Sequence, residues 1–243
     1  MTLPVGANCA EILGEGCAAL GIRPDEAGID RLCRYYLELS KWGRKINLVA
    51  AAPPREQLEL HFLDSLTLWP LMAELFDYGP LCQQLVASGR LRLLDIGTGA
   101  GFPGLALKCW QPEKLQVTLV EPRLKRVSFL RQVVRSLALE GVEILCRRLE
   151  PGTRLPEHFD LITSRAFTSI APFLEICASL SPPSSSPPGG LVVCMKGPKA
   201  QEELATWRRD QPLSPFHLLT LRSFTLPFSG AQRSLLLFAR RHP

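Results

Sequence analysis

Four glycines follow an apolar run and an acid in LLDIGTGAGFPG, residues 93–104. Counted from Gly99 the spacing is G-x-G-x-x-G, the turn that sets a dinucleotide's pyrophosphate on the amides of a helix N-terminus. Counted from Asp95 it is D-x-G-x-G-x-G, taking in Gly97, Gly99 and Gly101. Glycine lets a backbone turn tightly and approach a ligand with no Cβ between them, so both patterns use one loop, for different ligands. The neighbouring acids discriminate. A carboxylate at Asp95, at the mouth of the loop, repels a phosphate and suits a cationic head group, such as the ammonium of S-adenosylmethionine. Glu121 closes VTLVE at the distance expected of a ribose-binding acid; its alternative is to cap the first turn of the helix after Pro122. RRLEP sets Leu149 and Glu150 just after the third strand, where an adenine would lie.

Such a loop needs a strand before it and a helix after it. From Leu91, the apolar runs LRLLDI, QVTLVE, VEILCR, FDLITSR and LVVCMK alternate with helix-like segments at 103–110, 123–138 and 169–180. This is the pattern of a doubly wound parallel sheet, whose ligand lies beyond the carboxyl ends of its strands. After a helix over PKAQEELATWRR, the runs FHLLTLRSFTL and RSLLLFAR are parted only by PFSGAQ and predict an antiparallel hairpin. The expected fold is α/β: a mostly parallel, seven-stranded, Rossmann-like sheet over 86–243, with an N-terminal helical segment over 1–85 packed on it. Helical spacing runs through CAEILGEGCAAL, IDRLCRYYLELSKW and PREQLELHFLDSLTLW, the last bracketed by Pro54 and Pro70. His61 and Asp64 share a face of that third helix, placed to pair with each other or to anchor the helices to the sheet.

Composition sets the remaining bounds. With 46% hydrophobic and 21% charged residues, the chain is neither disordered nor fibrous. No apolar stretch reaches the roughly 18 to 20 residues of a membrane span, and the N-terminus lacks a basic region leading into an apolar run, so a cytoplasmic protein is expected. The eight cysteines form no C-x-x-C, and most sit in apolar patterns as packed thiols; the four histidines are scattered, and no metal site is expected. Net charge is +5, and EPRLKRVSFLRQVVR gathers Arg123, Lys125, Arg126, Arg131 and Arg135 on one helix, either a solvated face or one turned to RNA.

From Tyr35 to Arg240 the chain resembles the bacterial small-subunit (16S) rRNA guanine-7 methyltransferases, the RsmG or GidB family. KWGRKINLVA, HFLDSL, LLDIGTGAGFPGLAL, RVSFLRQV, FDLITSRAF, MKG and RSLLLFAR occur in family order, and HFLDSL and SRAF are the most telling. The resemblance implies a class I methyltransferase sheet and methyl transfer from S-adenosylmethionine to N7 of a guanine in 16S rRNA, within an assembled ribosomal particle. It implies cofactor contacts at Gly97, Phe102, Leu149, Glu150 and Arg165. Relative to shorter members, the segment before Asp25, FDYGPLCQQLVASG and SPPSSSPPGG are extensions.

Ring nitrogen 7 of guanine carries an in-plane lone pair and no proton, so no catalytic base is obligatory and positioning carries the reaction. Arg165 follows the fourth strand, placed to bind the cofactor's carboxylate or to orient the guanine or a phosphate. Lys196 and Arg233, with Arg123 and Arg126, are the expected RNA contacts. Two other classes share these features: a nicotinamide-dependent oxidoreductase, and a non-catalytic RNA-binding assembly module.

Overall fold

The computed structural model describes residues 5–77, 89–180 and 190–241; SPPSSSPPG, most of FDYGPLCQQLVASG, Cys82 and His242 lie outside them. Four helices come first: α1 (Val5–Ala19), α2 (Glu26–Gly43), α3 (residues 54–66) and α4 (Leu68–Asp77). The strands are β1 (Leu91–Ile96), β2 (Leu115–Val120), β3 (Val142–Leu145), β4 (Leu161–Arg165), β5 (Leu191–Lys196), β6 (Phe216–Thr225) and β7 (Gln232–Arg240). Between them run α5 (Gly104–Trp110), α6 (Leu124–Ser136), α7 (Ile170–Leu180) and α8 (Ala200–Asp210). The order across the sheet is β3-β2-β1-β4-β5-β7-β6, with β7 antiparallel to both of its neighbours.

Strand alternation builds a core on each face of the sheet. Leu91 and Leu93 of β1 join a core filled from α1 through α6, while Leu94 and Ile96 join a second core filled from α7 and α8. A parallel strand covered on both faces is apolar on both, and the chief exception in β1 is Asp95, which is fully buried. The strands and the helices between them follow the sequence reading to within a few residues.

The N-terminal helices are tied to the β6–β7 edge of the sheet and to the loop and helix that follow its central strand β1. Glu59, almost fully buried, accepts from the amides of Phe228 and Ser229 in the β6–β7 turn, and Glu74 pairs with Arg222 of β6. At the centre, Tyr35 donates to the carbonyl of Ala100 in the glycine loop, and Arg31 to that of Cys109 in α5.

Two local expectations are corrected. Pro70 does not end a helix; it is the third residue of α4, where the amide it lacks would have had no intrahelical partner. The third helix is not uniformly α: between Pro54–Gln57 and Asp64–Leu66, residues Leu58–Leu63 form a π-helical stretch. Such stretches recur where a helix bends its register to a functional need, and this one carries His61. The seven described cysteines are free thiols; Cys146 is exposed, and the other six are buried.

Candidate active site

The glycine loop leaves β1 where the strand order reverses, between β1 and β4. Gly97, Gly99 and Gly101 all have positive φ, at 72°, 62° and 97°, a region that costs other residues strain. Their surroundings differ. A side chain at Gly97 would strike the ring of Phe167, and one at Gly101 would strike the Tyr35 hydroxyl. At Gly99 a Cβ would find ordinary clearance, 3.6 Å from Arg126 Nη1. Gly99 is thus required by its backbone angle alone, and Gly101 by the docking of α2.

The two acids of the motif are turned into the loop. Asp95 Oδ2 accepts from Thr98 Oγ1 at 2.6 Å and from the Gly104 amide at 2.8 Å. This corrects the expectation that its carboxylate meets a cationic ligand head: it braces the strand-to-helix turn, whose amide and hydroxyl need an acceptor. Burial raises its pKa to about 6, against those two hydrogen bonds, and Oδ1 has no partner among the described residues. Glu121 Oε2 accepts from the Gly99 amide at 3.1 Å and Oε1 from the Arg123 amide at 2.9 Å, with Arg126 Nη1 3.6 Å away. Glu121 thus ties the glycine loop to the residue that precedes α6.

Two cavities open at the carboxyl ends of the strands. The first, about 400 Å³, is lined by Ile96, Gly97, Val120, Leu149, Glu150 and Ile176 among others. Of the residues expected to hold a cofactor, it brings together Gly97, Leu149 and Glu150; Asp95, Gly99, Gly101, Phe102 and Glu121 do not line it, and Arg165 lines the second cavity. The ring of Phe102, expected to touch the cofactor, is buried instead, stacked on Tyr35 at 5.5 Å and on His61 at 5.2 Å.

The second cavity, about 580 Å³, is lined by His61, Asp64, Arg165, Lys196, Phe224 and Arg233, among others. Its cations are all paired. Asp64, nearly buried, receives Arg165 Nη1 at 3.0 Å and Arg233 Nε at 3.3 Å. Arg165 also donates to the Leu60 carbonyl and lies 3.3 Å from His61 Nδ1. His61 and Asp64 therefore anchor α3 to β4 and β7 through the arginines rather than pairing with each other. Burial and the Arg165 cation push the His61 pKa down to about 4, so the ring is neutral at pH 7. Lys196, expected to face RNA, instead pairs with Glu203 at 2.8 Å and donates to the Thr168 carbonyl at 2.5 Å. A strand-end lysine that is only slightly exposed needs these acceptors.

Arg123 and Arg126 line a separate cleft of about 510 Å³, with Lys45, Asn47, Leu124 and Lys125. Sequence reasoning passed over Lys45, Phe167 and Glu203. Two of them, Lys45 in KWGRKINLVA and Phe167 in SRAF, stood inside motifs already singled out. Glu203 carried no local signal, because its partner lies on another element.

A parallel sheet ended by a reversed β7, with a glycine loop at its switch point, defines a class I methyltransferase domain. The family model for GidB, rRNA small subunit methyltransferase G, matches residues 28–235, and the chain belongs to that family. The ribosomal RNA small subunit methyltransferase G of Desulfotalea psychrophila is 42% identical over 228 residues, covering 93% of this chain and 95% of that protein. The protein of the same name from Myxococcus xanthus is 38% identical over 231 residues, covering 94% and 95%. The family match takes in α2, α3 and α4, so these helices are part of the shared architecture.

Proposed function

We propose that this chain transfers a methyl group from S-adenosylmethionine to N7 of a guanine in 16S rRNA, a substrate met in the cytoplasm. The observation that carries the reading is the meeting of two cavities at the switch point, which share Phe167 and Thr168: one is lined by Gly97, Leu149 and Glu150, the other by Arg165 and Arg233, both paired with Asp64. The first suits the cofactor: Leu149, Ile96 and Ile176 offer apolar surface to an adenine, and Gly97 lines it without a side chain. When bound, the cofactor supplies a methyl group on a sulfonium; the N7 lone pair forms the new bond as the carbon–sulfur bond breaks, and a neutral thioether departs.

Positive charge moves from sulfur to the purine in that step, and its total is unchanged. The site therefore needs neither a base nor a counter-charge that forms during reaction. Its pairing of charges follows from this. Arg165 and Arg233 can orient a guanine or a phosphate, and Asp64 offsets the repulsion that two bare cations would exert on a cationic reaction centre. Neutral His61 adds no further charge. What the chain contributes is placement, which can be worth roughly 7 to 11 kcal/mol.

Labelled S-adenosylmethionine incubated with the protein and small ribosomal subunits tests this, with the product nucleosides resolved by mass spectrometry. Label in 7-methylguanosine is the expected result. Binding of NADH with no response to S-adenosylmethionine would instead indicate an oxidoreductase, and binding without label transfer an assembly module.

A further inference from the structure

The cofactor cavity and the arginine-lined cavity share two lining residues, Phe167 and Thr168. Phe167 is a large aromatic with 38% of its surface exposed, standing at the point where donor and acceptor would meet. Its ring rests on Gly97, where no side chain would fit, and packs edge-on against Phe173 at 6.4 Å. The preceding Ala166 has φ 51°, a left-handed conformation rare for a residue with a Cβ, and this turns the chain between Arg165 and Phe167.

The segment that presents the ring is clamped from the far side. Lys196 donates to the Thr168 carbonyl and pairs with Glu203, whose carboxylate also accepts from the Ile170 amide at 3.2 Å. Lys196 thus holds the turn at Thr168, and Glu203 holds both Lys196 and the first amide of α7, into which the turn runs. An exposed aromatic on a fixed turn has lost its freedom in advance, which is what a binding platform requires.

The chemistry of N7 says what the platform holds. Arginine commonly binds guanine through O6 and N7 together, but a donor on N7 occupies the lone pair that must attack. The base has to be gripped by its faces or by other edges. Phe224 and His61 also line the arginine cavity, but His61 is stacked on Phe102 and neither borders the cofactor cavity.

We infer that Phe167 is the stacking platform for the target guanine, holding the purine by its face so that N7 stays free and points toward the cofactor cavity. This rests on the guanine-N7 reading above. The paired arginines then take O6 or the flanking phosphate, and Lys196 and Glu203 act as positioning residues for the turn.

The test compares wild type with Phe167→Ala, Phe167→Leu and Phe167→Trp, using small ribosomal subunits and measuring 7-methylguanosine formation, S-adenosylmethionine affinity and thermal melting. The alanine and leucine variants are expected to lose about 5- to 150-fold in kcat/KM, the range of one aromatic–base stack, with a much smaller change in cofactor affinity and with the protein still folded at the assay temperature. Tryptophan, which keeps an aromatic face, is expected to recover most of the rate. Wild-type turnover by the alanine or leucine variant would overturn the inference, and so would a loss of cofactor affinity equal to the loss of rate, which would make the ring part of the cofactor wall. Absence of 7-methylguanosine from the wild-type reaction would overturn the guanine-N7 reading itself, and this inference with it.

Discussion

Two cationic clefts lie at the same end of the sheet, and they hold their charges in opposite ways. In the central cleft Arg165, Arg233 and Lys196 are each within 3.3 Å of a carboxylate and are largely covered. In the cleft beside α6, Lys45, Arg123 and Lys125 are exposed and have no ion-pair partner among the described residues; only Arg126 reaches an acid, Glu121. Covered cations need a counter-charge, because unpaired burial is costly, and pairing fixes their geometry. Exposed cations keep their mobility and are free to replace the counterions of a nucleic-acid backbone. On the proposed function, the central cleft would orient the substrate and the α6 cleft attract it.

Removing the shared counter-charge should separate the two most sharply. Asp64→Ala leaves two guanidinium groups without their acid, and a loss of about 3 to 5 kcal/mol in unfolding free energy is expected from denaturant titration. A loss below about 1 kcal/mol would mean that the central cations do not depend on Asp64. Both the guanidinium pair and the π-helical stretch that presents His61 would then need another explanation.

Next in size is a pH effect that sets His61 of the central cleft apart from Asp95 of the glycine loop. The folded-state pKa of His61 is lowered from 6.5 to about 4, so its contribution to stability is present above pH 6.5 and lost as pH falls toward 4. Asp95, raised from 3.8 to about 6, acts in the opposite sense and gains stability on acidification. His61→Phe removes only the first, so wild type should lose on the order of 3 kcal/mol more than the variant between pH 7 and pH 4. Parallel stability curves for the two proteins would refute the assignment.

Within the glycine loop, Gly101→Ala should destabilise by about 1 to 3 kcal/mol through strain and the clash with Tyr35. Tyr35→Phe should relieve part of that cost. At Gly99, where only the backbone angle is at issue, the same pairing with Tyr35→Phe should show no coupling.

The smallest effect on stability is expected in the α6 cleft. Arg123→Ala or Lys125→Ala should change unfolding free energy by less than about 0.5 kcal/mol. Each should lower affinity for ribosomal RNA and flatten the dependence of log affinity on log salt by about one unit. An unaltered salt slope would remove this cleft from the RNA interface.

How far the sequence carried the site depends on the range of each interaction. Strand runs, helix spacing and the glycine loop were legible because they are local: hydrophobic period and backbone freedom are written into adjacent residues. Direction was not. Asp95 and Glu121 were visible as acids near a ligand loop, yet whether each faces the ligand or the loop depends on which amides the fold brings within reach. Arg165 and Asp64 stand 101 positions apart, and no local pattern announces their pairing. Phe167 stands two residues after Arg165 with no local signal of its own, and its importance appears only where two cavities share a wall.

The sequence by itself determined the doubly wound sheet, the closing hairpin and the loop at the switch point, since each follows from periodicity and turn chemistry over a few residues. Tertiary structure decided which acids serve the loop, which cations are neutralised and which remain free. Those outcomes turn on burial and on the distance between remote side chains, and both exist only once the helices have closed over the sheet.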